Sequence, residues 1–168
     1  MDMNARILSF AFAFLFLITA WLVYTTYMSV LPLETITVTF LNAALLLLVA
    51  LIPYLLNTVV IGNPAIQDYS SSLFALDLAG ILAILTSFAH ILSREERGLV
   101  PPDVVRLFRN GRNRMGILSI LVAISIAPTF WTFTLFDVPL RIYMWTLPLI
   151  SYWAGRALSP QSRTYRLT

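Results

Sequence analysis

From Ile7 to Leu33 the chain carries no charged side chain, and a second charge-free run opens at Ile36 and continues past Val60. A bilayer core about 30 Å thick is crossed by roughly 20 apolar residues in helical form. Within hydrocarbon, only a helix or a closed barrel satisfies its own backbone. Runs this long, rich in Leu, Ala and Phe, therefore predict membrane-spanning helices. The composition agrees: 59% of residues are hydrophobic and 11% charged, with mean hydropathy +0.83. Soluble domains hold about 25% charged residues, so lipid must cover most of the outside. ILSFAFAFLFLITA could begin a secretory signal, but the run continues through Trp21, Leu22, Val23 and Tyr24 without a convincing cleavage site. It is read as a retained span.

Interruptions divide the chain into five expected spans, roughly 7–30, 36–61, 70–93, 115–136 and 139–155. Together they form one all-α, polytopic transmembrane domain over residues 1–168. Pro32 and Glu34 close the first run, and Gly62-Asn63-Pro64 marks a turn before Asp68. Arg94-Glu95-Glu96-Arg97 ends the third span and opens a basic loop, 94–114. Asp137, Pro139 and Arg141 read as a short turn between the last two spans.

All eleven basic residues are arginines, and their positions set an expected orientation. Arg94, Arg97, Arg106, Arg109, Arg112 and Arg114 lie in the loop, and Arg156, Arg163 and Arg166 in the tail. Two helices separate these regions, so both can share one side, leaving Arg6 and Arg141 opposite. The positive-inside rule makes the arginine-rich side cytoplasmic and puts the N-terminus outside. Within the loop, Pro101-Pro102-Asp103 reads as a helix start. Val104, Leu107 and Phe108 would then share a face turned away from Arg106 and Arg109. Such a helix could lie among headgroups, with Arg106, Arg109, Arg112 and Arg114 on anionic lipid, or serve as a plain connector.

Catalytic chemistry is poorly supplied. There is no cysteine and one histidine, His90, which excludes thiolate sites, multi-histidine metal centres and a haem held by two histidines of this chain. No glycine-rich phosphate loop or nucleophile–base pairing stands out. Neither enzymatic activity nor a cofactor is expected. Nucleic acid is not an expected partner despite the pI near 9.6, because the charges gather at helix ends.

Asp77 is the one acid well inside an expected span, where a carboxylate costs about 2.5–3.5 kcal/mol on insertion scales. It reads either as an ion-pathway residue or as a structural acid satisfied by hydroxyls such as those of Ser71 and Ser72. His90, near the cytoplasmic end of span three, reads as interfacial or as a pH sensor. Tyr24-Thr25-Thr26-Tyr27, Asn42 and Asn57 are candidates for hydrogen bonds between helices.

Several of these residues also carry a resemblance. Trp21 is followed by Leu41-Asn42, the run AALLLLVALI and Pro53-Tyr54, with Phe74-Ala75-Leu76-Asp77 beyond. This succession resembles the transmembrane protein 175 family of potassium-permeable channels in its prokaryotic single-repeat form. There, a tryptophan ends the second helix, Leu-Asn opens the third and Leu-Pro-aromatic closes it. An aromatic-Ala-x-Asn segment lies in the fourth. Tyr24 and Thr25 stand where the family has paired histidines, and the family's first helix, with its Phe-Ser-Asp signature, has no counterpart in this sequence. The family has six helices with both ends cytoplasmic, so one fewer implies five and an outward N-terminus. The resemblance implies an oligomeric channel passing potassium or related cations. The alternative it leaves open is a non-conducting accessory or scaffold subunit of a larger membrane complex.

Overall fold

The computed structural model describes residues 3–31, 35–61, 63–94 and 102–158. The breaks expected at Pro32, Glu34, Gly62 and Pro101, the charge cluster Glu95–Arg97 and the tail 159–168 lie outside those residues. The fold is helical apart from one two-stranded ribbon. Helices α1 (Met3–Met28), α2 (Ile36–Ile61) and α3 (Pro64–Arg94) are followed by α4 (Pro102–Ile124) and a single turn, α5 (Thr129–Thr132). Strands β1 (Thr134–Leu135) and β2 (Val138–Pro139) then lead into α6 (Leu140–Leu158). Among the described residues, three helices are long and apolar enough to cross a membrane, over Ser9–Met28, Ile36–Val60 and Ile66–Ser93. They coincide with the first three expected spans.

Local chemistry fixes the helix starts. Thr35 Oγ1 accepts the backbone N–H of Val38 at 3.3 Å, satisfying one of the donors left open at the start of α2. Pro64 and Pro102 are the first residues of α3 and α4, positions where the missing N–H costs nothing. Pro53 lies inside α2 and removes one intrahelical bond there, yet the helix continues to Ile61.

Helix α3 is the centre of the bundle. In its apolar span 56% of residues are buried within the chain, against 22% for α2 and 28% for α1. Phe74, Ala75, Leu78, Ile81, Leu85, Phe88 and Ala89 form its buried stripe, spaced three and four residues apart as helical periodicity requires. The most extensive packing is between α3 and α4, followed by α3 against α2. The α3–α4 pair is antiparallel: Ser119 Oγ donates to the Ala79 carbonyl at 2.9 Å, and Gly116 faces Thr86. Nearer the basic end, Arg112 Nη1 reaches Ser93 Oγ at 3.2 Å and lies 3.4 Å from His90 Nδ1. At Gly80 an added Cβ would stand 2.9 Å from a Leu48 methyl, so glycine allows α2 and α3 their close approach. Trp153 Nε1 donates to Thr19 Oγ1 at 3.2 Å and ties α6 to α1.

The fourth expected span differs. A short loop helix and a separate span over 115–136 were expected; instead one helix runs from Pro102 to Ile124 and stops. Nothing between Arg109 and Met115 breaks the helical ladder, so the basic segment and the apolar segment form one rod. Beyond Ile124 the bonds tighten to three-residue turns, Ile126 N–H to Ala123 and Ala127 N–H to Ile124. Pro128 then rules out continuation. Of the face expected in the loop helix, Phe108 is buried but Leu107 is 67% exposed. The Val104 side chain lies outside the description.

The expected turn at 137–141 is a tight hairpin. Thr134 pairs with Pro139 and Leu135 with Val138, closed by Phe136 and Asp137 at φ 52° and 61°. Two positive φ values in a two-residue loop match the twist of antiparallel strands. Aspartate tolerates that geometry, whereas a phenylalanine there is uncommon. Arg141 is not part of this turn. It lies in the first turn of α6 and is fully buried.

Candidate functional site

The densest polar cluster gathers around Arg141, at the end of the bundle opposite Arg112, Arg114 and Arg156. Three elements build it: the first turns of α3, the frayed C-terminus of α4 and the start of α6. Arg141 Nε donates to the Ser125 carbonyl at 2.7 Å, and Nη2 to those of Ile126 and Ala127 at 3.0 and 3.1 Å. Nη1 donates to the Asp68 carbonyl at 3.1 Å, Asp68 Oδ1 at 2.9 Å and Ser72 Oγ at 3.0 Å, and also meets Ser71 Oγ. The Trp131 ring lies 5.6 Å from the guanidinium carbon.

The arrangement is electrostatically sensible. A cation in the first turn of α6 opposes that helix's own dipole, but its head rests on the carbonyl end of α4, where positive charge is favoured. Helix α4 ends where the Ser125 and Ile126 carbonyls would be left free among the described residues. The planar fork of arginine serves both, together with that of Ala127, which also accepts the Phe130 N–H at 3.0 Å. Asp68 supplies the counter-charge across a 73-residue separation. The Arg141 side chain is 0% exposed and that of Asp68 46% exposed. The site is therefore a staple joining three elements.

This cluster corrects the structural reading of Asp77. Ser71 and Ser72 donate their hydroxyl protons to the Asp68 carbonyl and accept from Arg141, so they do not serve Asp77. Asp77 is buried, and among the described residues neither carboxyl oxygen has a hydrogen-bond partner. The Trp145 indole N–H, on a ring packed 4.6 Å from Phe74, is likewise buried and unpartnered. An unsatisfied buried polar group costs about 1–3 kcal/mol, more if charged. Asp77→Leu is expected to raise stability by about that amount in detergent thermal melts. A loss of stability would show that the acid has acquired a partner beyond the described chain.

The family-motif positions are not brought together. Trp21 is exposed, and its ring lies 5.7 Å from that of Tyr24, which meets Phe88 of α3 edge-on at 6.1 Å. Thr25 donates within its own helix, to the Trp21 and Leu22 carbonyls, and Thr26 to Leu22. These hydroxyls thus contribute no bonds between helices, contrary to expectation. Pro53 and Asn57 are exposed on α2. Asn42 is half-buried, and its side-chain oxygen has no partner among the described residues. Of the candidate lipid-contact arginines, Arg106 and Arg109 are exposed. Arg112 bonds to Asn113 Oδ1 and Ser93, and Arg114 lies against α6 with Nη1 3.4 Å from the Ser151 carbonyl.

Sequence reasoning misses the pairing of Arg141 with Asp68, reading Asp68 as part of the loop after Pro64 and Arg141 as part of a short turn. A signal was present: Asp68-x-x-Ser71-Ser72 places three oxygen-bearing side chains on one turn of α3, a ready acceptor set for an arginine at that end of the bundle. Comparison with protein-family models, with curated proteins and with solved structures finds no match.

Proposed function

We propose that this chain is a channel-like membrane subunit of the potassium-permeable type it resembles, acting as a homo-oligomer that passes monovalent cations between copies. In this reading the chain crosses the bilayer five times, with α4 and α6 as the fourth and fifth crossings, the N-terminus outside and the arginine-rich end in the cytoplasm. The supporting observation is Asn42 on α2. Its side-chain oxygen has no donor among the described residues, on a helix whose apolar span is only 22% buried within the chain. In hydrocarbon such an oxygen demands a hydrogen bond, and Asn42 is only half-buried, so a rotation of its side chain would turn the amide outward to a donor on a neighbouring copy. Asn42 is also the position that the resemblance marks.

Reconstituted into liposomes, the purified protein is expected to show potassium flux and to run as a homo-oligomer in mild detergent. Polar contacts between membrane helices contribute about 0.6 kcal/mol on average and about 1.7 at most. Asn42→Leu should therefore weaken assembly by about threefold to twentyfold per contact. A well-folded homo-oligomer without cation flux would sink the channel reading.

A second reading, a non-conducting accessory subunit, draws on Tyr24 and Thr25. The Tyr24 ring packs against Trp21 and Phe88, and the Thr25 hydroxyl is bonded within its own helix. Stoichiometric unrelated membrane proteins after gentle extraction would favour this reading.

A further inference from the structure

We propose that a cleft of about 310 Å³ between α1, α4 and α6, at the arginine-rich end, binds an anionic phospholipid. Its headgroup phosphate would sit on Arg114 and Arg156 and its acyl chain along the apolar floor. The inference rests on the membrane character of the helices and not on ion conduction, so failure of the channel reading leaves it standing.

The cleft is two-faced. Arg114, Arg156, Tyr27 and Tyr152 supply its polar groups, and Val23 and Phe108 belong to its apolar wall. The Tyr27 and Phe108 rings meet at a tilt of 59° with centroids 5.8 Å apart, fixing the wall where α1 meets α4. Arg156 Nη1 donates to Tyr152 Oη at 3.1 Å, and Arg114 makes one long bond, 3.4 Å, to the Ser151 carbonyl. Among the described residues neither arginine has a carboxylate partner, the one ion pair being Arg141 with Asp68. Two guanidinium groups facing one cleft with donors to spare form a site for a bidentate oxyanion such as phosphate. Basic pockets between membrane helices are where anionic headgroups bind. An apolar wall continuous with a spanning helix suits a ligand that has a hydrocarbon tail.

The backbone is shaped for this placement. A Cβ on Gly155 would stand 2.5 Å from Arg114 Nη1, so the guanidinium lies in the space that a side chain would fill. Gly155→Ala therefore forces the Arg114 guanidinium out of its present position while leaving every charge in place.

The test titrates full-length protein in detergent with short-chain phosphatidylglycerol, phosphatidylcholine or inorganic phosphate, reading thermal stabilisation and lipid retained in native mass spectra. Saturable stabilisation by phosphatidylglycerol is expected, with at least tenfold weaker effect from the other two. Arg114→Gln with Arg156→Gln should weaken phosphatidylglycerol binding tenfold or more. The charge-matched control, Arg106→Gln with Arg109→Gln, should weaken it less than threefold. Gly155→Ala should follow the first pair and carries the test if that pair does not fold. Equal losses in the control pair, equal binding of phosphatidylcholine, or phosphate acting as well as lipid would each overturn the proposal.

Discussion

Replacing Arg141 with leucine is expected to cost about 3–5 kcal/mol, the range for removing one partner of a buried charged network. For a chain of this size that is a large part of the total stability. The loss comes mainly from backbone: among the described residues the Ser125 and Ile126 carbonyls lose their donor together, while that of Asp68 keeps the Ser71 and Ser72 hydroxyls and that of Ala127 keeps the Phe130 N–H. The carboxylate matters less, because the Asp68 side chain is about half exposed and water can take over its solvation. Asp68→Asn should therefore cost about 1 kcal/mol or less. Arg141→Lys keeps the charge but loses the planar fork, and one ammonium cannot reach acceptors on three elements. It should lie nearer to leucine than to wild type. Thermal melting in detergent, read by circular dichroism and by recovery of monodisperse protein, ranks the four proteins. An Arg141→Leu variant as stable as wild type would show that the α4 carbonyls find other donors.

Phe74→Ala should be comparably severe, about 3–5 kcal/mol for truncating a fully buried aromatic. Its ring meets that of Trp145 edge-on with centroids 4.6 Å apart, joining α3 to α6. Lipid offers the exposed ring as apolar a setting as the core does, so the loss is one of packing and not of water exclusion. Phe74 lies one turn after Ser71 on α3, and Trp145 one turn after Arg141 on α6. The staple and the ring pair are therefore stacked along one seam. Substitutions at Phe74 and Arg141 should couple by about 0.5–3 kcal/mol in a double-mutant cycle, whereas sites far apart add simply. Trp145 emission would shift first on heating if the seam opens before the rest of the bundle.

These two seam contacts also mark where sequence reading gave out. The first two helices are legible because charge-free length alone decides them, over Ile7–Leu33 and Ile36–Val60, and in the third only Asp77 interrupts the apolar run over 70–93. The same criterion failed at Met115–Phe136, which lacks charges but holds Pro128. Charge counting registers composition, and the helix end at Ile124 depends on backbone geometry and on who receives the freed carbonyls. Arg141 reads as part of a short turn because its neighbours in sequence, Asp137 and Pro139, are turn formers. Its partner Asp68 lies 73 residues away, a pairing that only the antiparallel α3–α4 packing creates. Asp77 was assigned hydroxyl partners one or two turns away that proved already engaged. Local spacing identifies which groups are within reach but not which competitor claims them.

The position of Arg141 bears finally on membrane thickness. Along α6, Arg141 and Arg156 are about 22 Å apart at 1.5 Å per residue, and on α4 Arg114 lies about 16 Å from Ser125. A typical hydrocarbon layer is about 30 Å deep. With both helices crossing as proposed, this flank of the bundle is shorter than the layer around it, while α3 spans its full depth. The mismatch is relieved from within: the guanidinium carries its own shell of carbonyl and hydroxyl oxygens below the headgroups. Thin bilayers should then suit this protein better than thick ones, and stability measured across phosphatidylcholines of increasing chain length should peak at short chains.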